Sequence, residues 1–196
     1  NAQSRKLITG GLSKPSKMPG YAYNLPATEC NVGAKLVQVP GSVCHGCYAL
    51  KGRYRFPNVK EAMHRRLKSI DGPLWVETMA ADINARKSKY FRWHDSGDIQ
   101  SLAHLKKIFD VCKLTPDVAH WIPTRESGIL SKLGPEEVPA NLTIRLSATM
   151  VDGNAPKNSW HLTSTVVTEG ASCPAPKQGN ECKSCRNCWD QSIKNI

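Results

Sequence analysis

Apolar residues along this chain recur at helical spacing in some stretches and cluster in short runs in others. Pro57 opens a helix of about three turns, in which Ala62, Met63, Leu67 and Ile70 share one face. Asp71-Gly72-Pro73 breaks it. Pro73 starts a second helix, with Leu74, Val76, Met79, Ala80 and Ile83 inside. Ser101 caps a third, whose apolar face carries Leu102, Leu105, Ile108, Phe109 and Cys112.

The short apolar runs read as strands. Tyr90 to Trp93 is one, and it ends in the polar loop His94-Asp95-Ser96-Gly97-Asp98. Val118 to Ile122 is the next, after the turn at Pro116-Asp117 and before Pro123-Thr124-Arg125. A short helix to about Leu133 leads on to Pro135. Leu142 to Ser147 is a clear strand and Ser164 to Thr168 a weaker one. Such alternation predicts an α/β fold with a mainly parallel sheet. The chain has 196 residues, fewer than the roughly 250 of eight full strand–helix units. An incomplete (β/α) barrel or an open sheet is therefore expected, with cysteine-rich loop segments at both ends. The expected organisation is one domain over 1–196. A loop-rich basic segment spans 1–56, an α/β core 57–168 and a cysteine-rich segment 169–196.

Charge and cysteine content add to this picture. The net charge is +11, and residues 1–68 hold twelve Lys/Arg against Glu29 and Glu61. That asymmetry points to an anionic partner, either nucleic acid or a small anionic ligand. Lys51, Arg53, Arg55, Arg65, Arg66 and Lys68 alternate with Tyr48, Tyr54 and Phe56. A single strand needs such a mixture for phosphate contact and base stacking, and so does a nucleotide-derived cofactor. A charged helix face explains Arg65, Arg66 and Lys68 without any ligand. No run of apolar residues is long enough to span a membrane, and no secretion signal opens the sequence. A cytoplasmic location is expected.

Of the eight cysteines, five lie in two tight groups, and one more lies upstream of each group. Cys44-His45-Gly46-Cys47 follows Cys30. Cys182, Cys185 and Cys188, in CxxCxxC spacing, follow Cys173-Pro174. Clustered cysteines without a secretion signal read as metal ligands rather than disulfides. CxxCxxC with a distant Cys-Pro is ferredoxin-type spacing and suits a [4Fe–4S] cluster. Cys44/Cys47 with Cys185/Cys188 also makes two CxxC pairs, so zinc is the alternative. One cluster or two fit the count. Cys173, Cys182, Cys185 and Cys188 complete one cubane, and Cys30, Cys44 and Cys47 make a three-cysteine site that leaves one iron free. Alternatively, one cluster draws on both groups. Cys112 reads as a buried small hydrophobe. His45, between ligand cysteines, bonds a cluster sulfur or faces water, and His64, His104, His120 and His161 show no ligand spacing.

Polar residues follow successive strands: His94, Asp95 and Asp98, then Thr124, Arg125 and Glu126, then Ser147. In a parallel sheet they converge at the carboxyl edge, where α/β folds place their sites. Asp95, Asp98 and Arg125 are accordingly the candidate substrate-holding or catalytic residues. Asp95 and Asp98 as turn-shaping and capping residues are the structural alternative.

Three segments carry a resemblance to a known family. Val39 to Gly52, Phe91 to Asp98, and Cys173-Pro174 with Cys182 to Trp189 resemble those of the phage gene product 88 family. The resemblance implies a cytoplasmic protein of an infected bacterial host and no defined reaction. More loosely, cysteines before a strand–helix series and a late cysteine group are similar to radical-SAM enzymes with an auxiliary cluster. The sequence lacks CxxxCxxC, and thirteen residues separate Cys30 from Cys44, which argues against SAM. The expectation is an iron–sulfur protein acting on a polar or nucleotide-like substrate. Its rivals are a nucleic-acid-binding protein with a structural cluster and a zinc-stabilised binding module.

Overall fold

In a computed structural model, which describes residues 1–157 and 161–196, five parallel strands form one open sheet. They are β1 (Tyr21–Tyr23), β2 (Tyr90–Trp93), β3 (Ala119–Thr124), β4 (Leu142–Val151) and β5 (Leu162–Val166). Their spatial order is their chain order, and every neighbouring pair is parallel. The order never reverses, unlike that of a doubly wound sheet. Right-handed crossovers then bring successive connections onto one face, as in a barrel left open.

That face is the core. Register aligns Tyr23 with Trp93 and Ile122 with Ile144, and period-2 alternation sends them the same way. They pack on α3 (Pro57–Ser69), α4 (Trp75–Ala85) and α5 (Leu102–Lys113), through Ile70, Trp75, Met79, Leu105 and Ile108. Ser101 caps α5 by accepting the His104 N–H at 3.0 Å. Cys112, fully buried on the same helix, belongs to this core. The helix expected from Pro73 begins at Trp75, because Pro73 and Leu74 form the turn that leads in.

The first 56 residues are more ordered than their Gly, Pro and Asn content predicts. They contain α1 (Ala2–Thr9), β1 and α2 (Asn31–Leu36). Asn1 caps α1 by accepting the Ser4 N–H, and left-handed Gly10 closes it. The Tyr23 hydroxyl donates to Thr9 O at 2.6 Å and accepts the Trp75 indole N–H at 3.1 Å. One side chain of a three-residue strand thus ties α1 and α4 to the sheet.

The opposite face carries Arg92, Trp121, Thr143 and Arg145 and is covered by the chain's C-terminal segment. Trp189 is buried there, its ring edge-on to Tyr90 and Trp121. Arg145 has no exposed surface. Its five guanidinium bonds reach the carbonyls of Cys188, Thr163, Ile193, Asn187 and Asp190. Residues 194–196 continue this cover by bonding to Thr163 and Thr165 of β5.

Candidate functional site at the carboxyl edge of the sheet

Strand ends, two cysteine-bearing loops and a cavity of about 320 Å³ meet at the carboxyl edge. Cys30, Cys44 and Cys47 line the cavity together with Asp95, Asp98, Arg125 and Ser147. Of the residues expected to converge after β2, β3 and β4, His94, Asp95, Asp98, Arg125 and Ser147 border one space, whereas Thr124 and Glu126 do not line it; the first cysteine group borders it too.

Each thiol is placed by an identifiable backbone contact. Cys30 precedes α2, and the buried carboxylate of Glu126 accepts the Val32 N–H in the first turn of that helix at 3.0 Å. A residue just after β3 thereby fixes the Cys30 loop. Gly41 to Val43 runs antiparallel to the end of β4, with the Val43 N–H on Thr149 O. This sets the position of Cys44, and the Cys47 N–H on Cys44 O makes the turn that presents the third thiol. A Cβ at Gly33 would stand 3.5 Å from Cys30 Sγ and 3.6 Å from Cys44 Sγ, so glycine keeps the space between these sulfurs open. Burial pushes the Cys30 thiol up to about 12, with Asp98, Cys47 and Cys44 acting in the same direction. Burial also raises Cys44, and Arg125 opposes it.

The two aspartates of the 94–98 loop have different tasks. Asp98 accepts the Ile99 N–H at 2.8 Å on one oxygen and the Arg125 N–H at 2.9 Å on the other. Burial lifts its carboxyl to about 6, against the Thr124 hydroxyl and these N–H groups. Asp98 is a strut between the ends of β2 and β3. Asp95 accepts the Tyr54 hydroxyl at 3.1 Å on one oxygen, while its other oxygen is buried and has no partner among the described residues. The Tyr48 hydroxyl donates to the Asp95 carbonyl. Burial raises the Asp95 carboxyl, and Arg92 opposes the shift. Gly97 has φ 78°, and a Cβ there would meet Leu25 Cβ at 2.6 Å. Only glycine lets this loop lie against the segment after β1.

Arg125 bonds Ala148 O through Nε at 3.2 Å, and Ser147 shares a 2.8 Å hydrogen bond with Ser164 of β5. His94, in left-handed backbone, is buried, and neither ring nitrogen has a partner among the described residues. Its ring lies 5.5 Å from that of His104, and burial holds it neutral. His45 is exposed, and its Nδ1 lies 2.9 Å from Val37 O.

Cys173, Cys182, Cys185 and Cys188 do not line this cavity and belong to the C-terminal segment that covers the face of Arg145. The Cys182 N–H reaches Lys17 O at 2.8 Å, and the Cys185 N–H closes a turn on Cys182 O at 2.9 Å. Burial lifts Cys188 to about 12, and Cys173 and Cys182 push it the same way. Arg92 lies between the two groups. It lines the 320 Å³ cavity, its charge favours the thiolates of Cys182 and Cys188, and its guanidinium sits 4.5 Å over the Trp121 ring. Sequence reasoning passed over Arg92 as a site residue, and named Glu126 only among the polar residues that follow the strands. The signal for Arg92 was a cation at an alternating position inside an aromatic strand.

Among the described residues, no group of three or more His, Cys, Asp or Glu is close enough to hold one metal ion. A mononuclear tetrahedral site needs thiolates roughly 3.8 Å apart, given a metal–sulfur bond of about 2.3 Å. A cubane ligated at separate iron corners sets its thiolates farther apart. The free, half-buried or buried thiols and the Gly33 opening are compatible with that wider arrangement. The basic segment is divided by the fold. Arg53 and Arg55 are exposed, whereas Arg66 is buried and bonds Gly11 O and Asn24 Oδ1 at 2.6 and 2.5 Å. Arg66 is thus a structural cation rather than part of a solvated face or a phosphate contact.

Fold and site together define a parallel α/β protein with a thiol-lined cavity at the carboxyl edge of an open, barrel-like sheet. The Gene product 88 family model matches residues 1–161, and the chain belongs to that family. The match ends before the last four cysteines. No curated protein and no solved structure matches the chain. Among the described residues, no helix is long and apolar enough to cross a membrane.

Proposed function

We propose that this is an iron–sulfur protein whose Cys30, Cys44 and Cys47 hold a [4Fe–4S] cluster facing a small polar substrate. The observation that carries the reading is the shared cavity. Three thiols from two loops border the same space as Asp95, Arg125 and Ser147. When bound, a cubane with three protein thiolates offers one open iron to a substrate atom and can exchange one electron.

The chain's own groups supply binding and orientation. The unpartnered Asp95 oxygen accepts a substrate donor. Arg125, held by Asp98 through its backbone N–H, presents positive charge to an anionic group. Ser147 adds a hydroxyl, and the cavity walls limit water. The four C-terminal cysteines are suited to a second cluster, which contributes its binding free energy to holding the chain end against β4. In the nucleic-acid reading the clusters are only structural, and burial of Arg66 removes one cation from that surface.

Anaerobic purification with iron, sulfide and zinc analysis tests the proposal. The expected protein is brown, absorbs near about 400 nm and carries roughly four irons and four sulfides per cluster. Cys44→Ala should lose the iron of one cluster and leave the C-terminal one. Colourless protein with stoichiometric zinc and no sulfide would defeat the reading in favour of a zinc-held module.

A further inference from the structure

A second cavity, of about 670 Å³, adjoins the thiol-lined one, and Tyr48, Arg92 and Asp95 border both. Its wall carries the cations Lys14, Lys17, Arg53 and Arg92. Among the described residues, none of the four is ion-paired with a carboxylate. Asp95 is the one acidic residue among those lining it. A concentration of unpaired positive charge in a cavity of small-molecule size selects an anionic small molecule.

Three further features narrow its class. Tyr48 is 58% exposed although its hydroxyl is tied to the Asp95 carbonyl, so it offers a fixed aromatic side chain for stacking. Among the described residues, Arg92 Nε is a buried donor without a partner, and Asp95 Oδ1 is a buried acceptor without one. Groups of this kind are costly unless something pairs with them. A hydroxyl can satisfy both, donating to the carboxylate and accepting from the guanidinium.

From these features we infer that the second cavity binds a nucleotide. Its phosphate lies among Lys14, Lys17 and Arg53, its sugar hydroxyls reach Arg92 and Asp95, and its base stacks on Tyr48. This deepens the proposed function and rests on it for the nucleotide's role as substrate beside the thiols. The binding claim itself stands on the cavity alone.

The experiment is titration of the purified full chain with nucleoside monophosphates, the matching nucleosides, inorganic phosphate and a ten-nucleotide single strand. Iron and sulfide are measured in every sample. A monophosphate should bind more tightly than its nucleoside or phosphate alone. Arg53→Ala, on the exposed rim, should weaken it about tenfold or more, with iron content unchanged. Tyr48→Leu should weaken the monophosphate and leave inorganic phosphate unaffected. Equal binding of nucleotide and nucleoside, or no effect of Arg53→Ala, would overturn the inference. So would oligonucleotide binding that no monophosphate displaces. Nucleotide binding by anaerobically purified protein that carries neither iron nor sulfide leaves the inference standing and defeats the cluster reading instead.

Discussion

The Asp98 carboxylate receives the backbone N–H of Arg125 at 2.9 Å, from a strand end 27 residues away. An acid and a base near each other in a candidate site suggest a charge pair, but here the acid meets the base's main chain. Asp98 is spent on backbone donors, and the Arg125 side chain is left to point elsewhere. Asp98→Ala strands two buried N–H groups and should destabilise the protein by about 2–4 kcal/mol. Asp95→Asn keeps an acceptor for Tyr54 and should cost less than about 1 kcal/mol. Urea midpoints for the two variants provide the comparison. Equal losses would mean that Asp98 is no strut.

Arg145 makes the corresponding contact for the chain end, with its Nε on the Cys188 carbonyl at 3.1 Å. Burial lowers its pKa, and the planar fork serves five carbonyls at once. Lysine has three donors and no fork. Arg145→Lys should cost about 2–4 kcal/mol and free the C-terminal segment. Limited proteolysis would then cut at Lys177, Lys183 or Arg186 before the rest of the chain. A variant as protease-resistant as the parent would mean that Trp189 alone holds the segment.

The two arginines mark where the sequence was legible and where it was not. A helix cap at Ser101, a strand from Leu142 and polar residues after each strand follow from local spacing. Arg92 and Arg145 stood in plain view inside apolar strands, yet their task depends on what covers the second face of the sheet. That cover is a segment with no periodicity. Likewise β1 is three residues between Gly20 and Asn24, too short for any alternation. It exists because β2 lies beside it and the Tyr23 hydroxyl finds Thr9. The cysteines were legible as groups, and so was their placement near the strand ends, but not the contact that builds it, since Gly41 to Val43 reaches β4 only in three dimensions.

His120 sets a pH dependence. Its Nδ1 accepts the Trp93 indole N–H at 3.2 Å, so Nε2 carries the proton and faces Thr115 Oγ1 at 2.8 Å. Burial drops its pKa from 6.5 to about 3. The unfolded chain therefore binds the extra proton first, and stability falls as pH drops below about 6.5. The loss attributable to this residue is about 2 kcal/mol between pH 6.5 and 5. His120→Gln retains an acceptor and a donor and cannot titrate. The difference in stability between parent and variant should shift by that amount across the window. A difference that stays constant with pH would place the acid sensitivity elsewhere. His104, also lowered to about 3 by burial, acts in the same direction in both proteins.

Gly33 and Gly46 separate space for a cluster from mere helix or turn formation. Gly33 lies in α2, where alanine favours the helix by up to about 1 kcal/mol. Its added methyl would stand 3.0 Å from Cys30 Cβ and within 3.6 Å of both Sγ atoms. Gly46 lies between Cys44 and Cys47, and a methyl there meets nothing within 4 Å. If Cys30 and Cys44 close on a cluster, Gly33→Ala should lower iron and sulfide per chain while the metal-free protein melts no earlier than the parent. Gly46→Ala should retain full iron. The pair is informative because both changes add the same atom within the first cysteine group, and only Gly33→Ala adds it against the Cys30 and Cys44 sulfurs. Full iron in Gly33→Ala, or equal loss in both variants, would mean that the space between Cys30 and Cys44 holds no cluster.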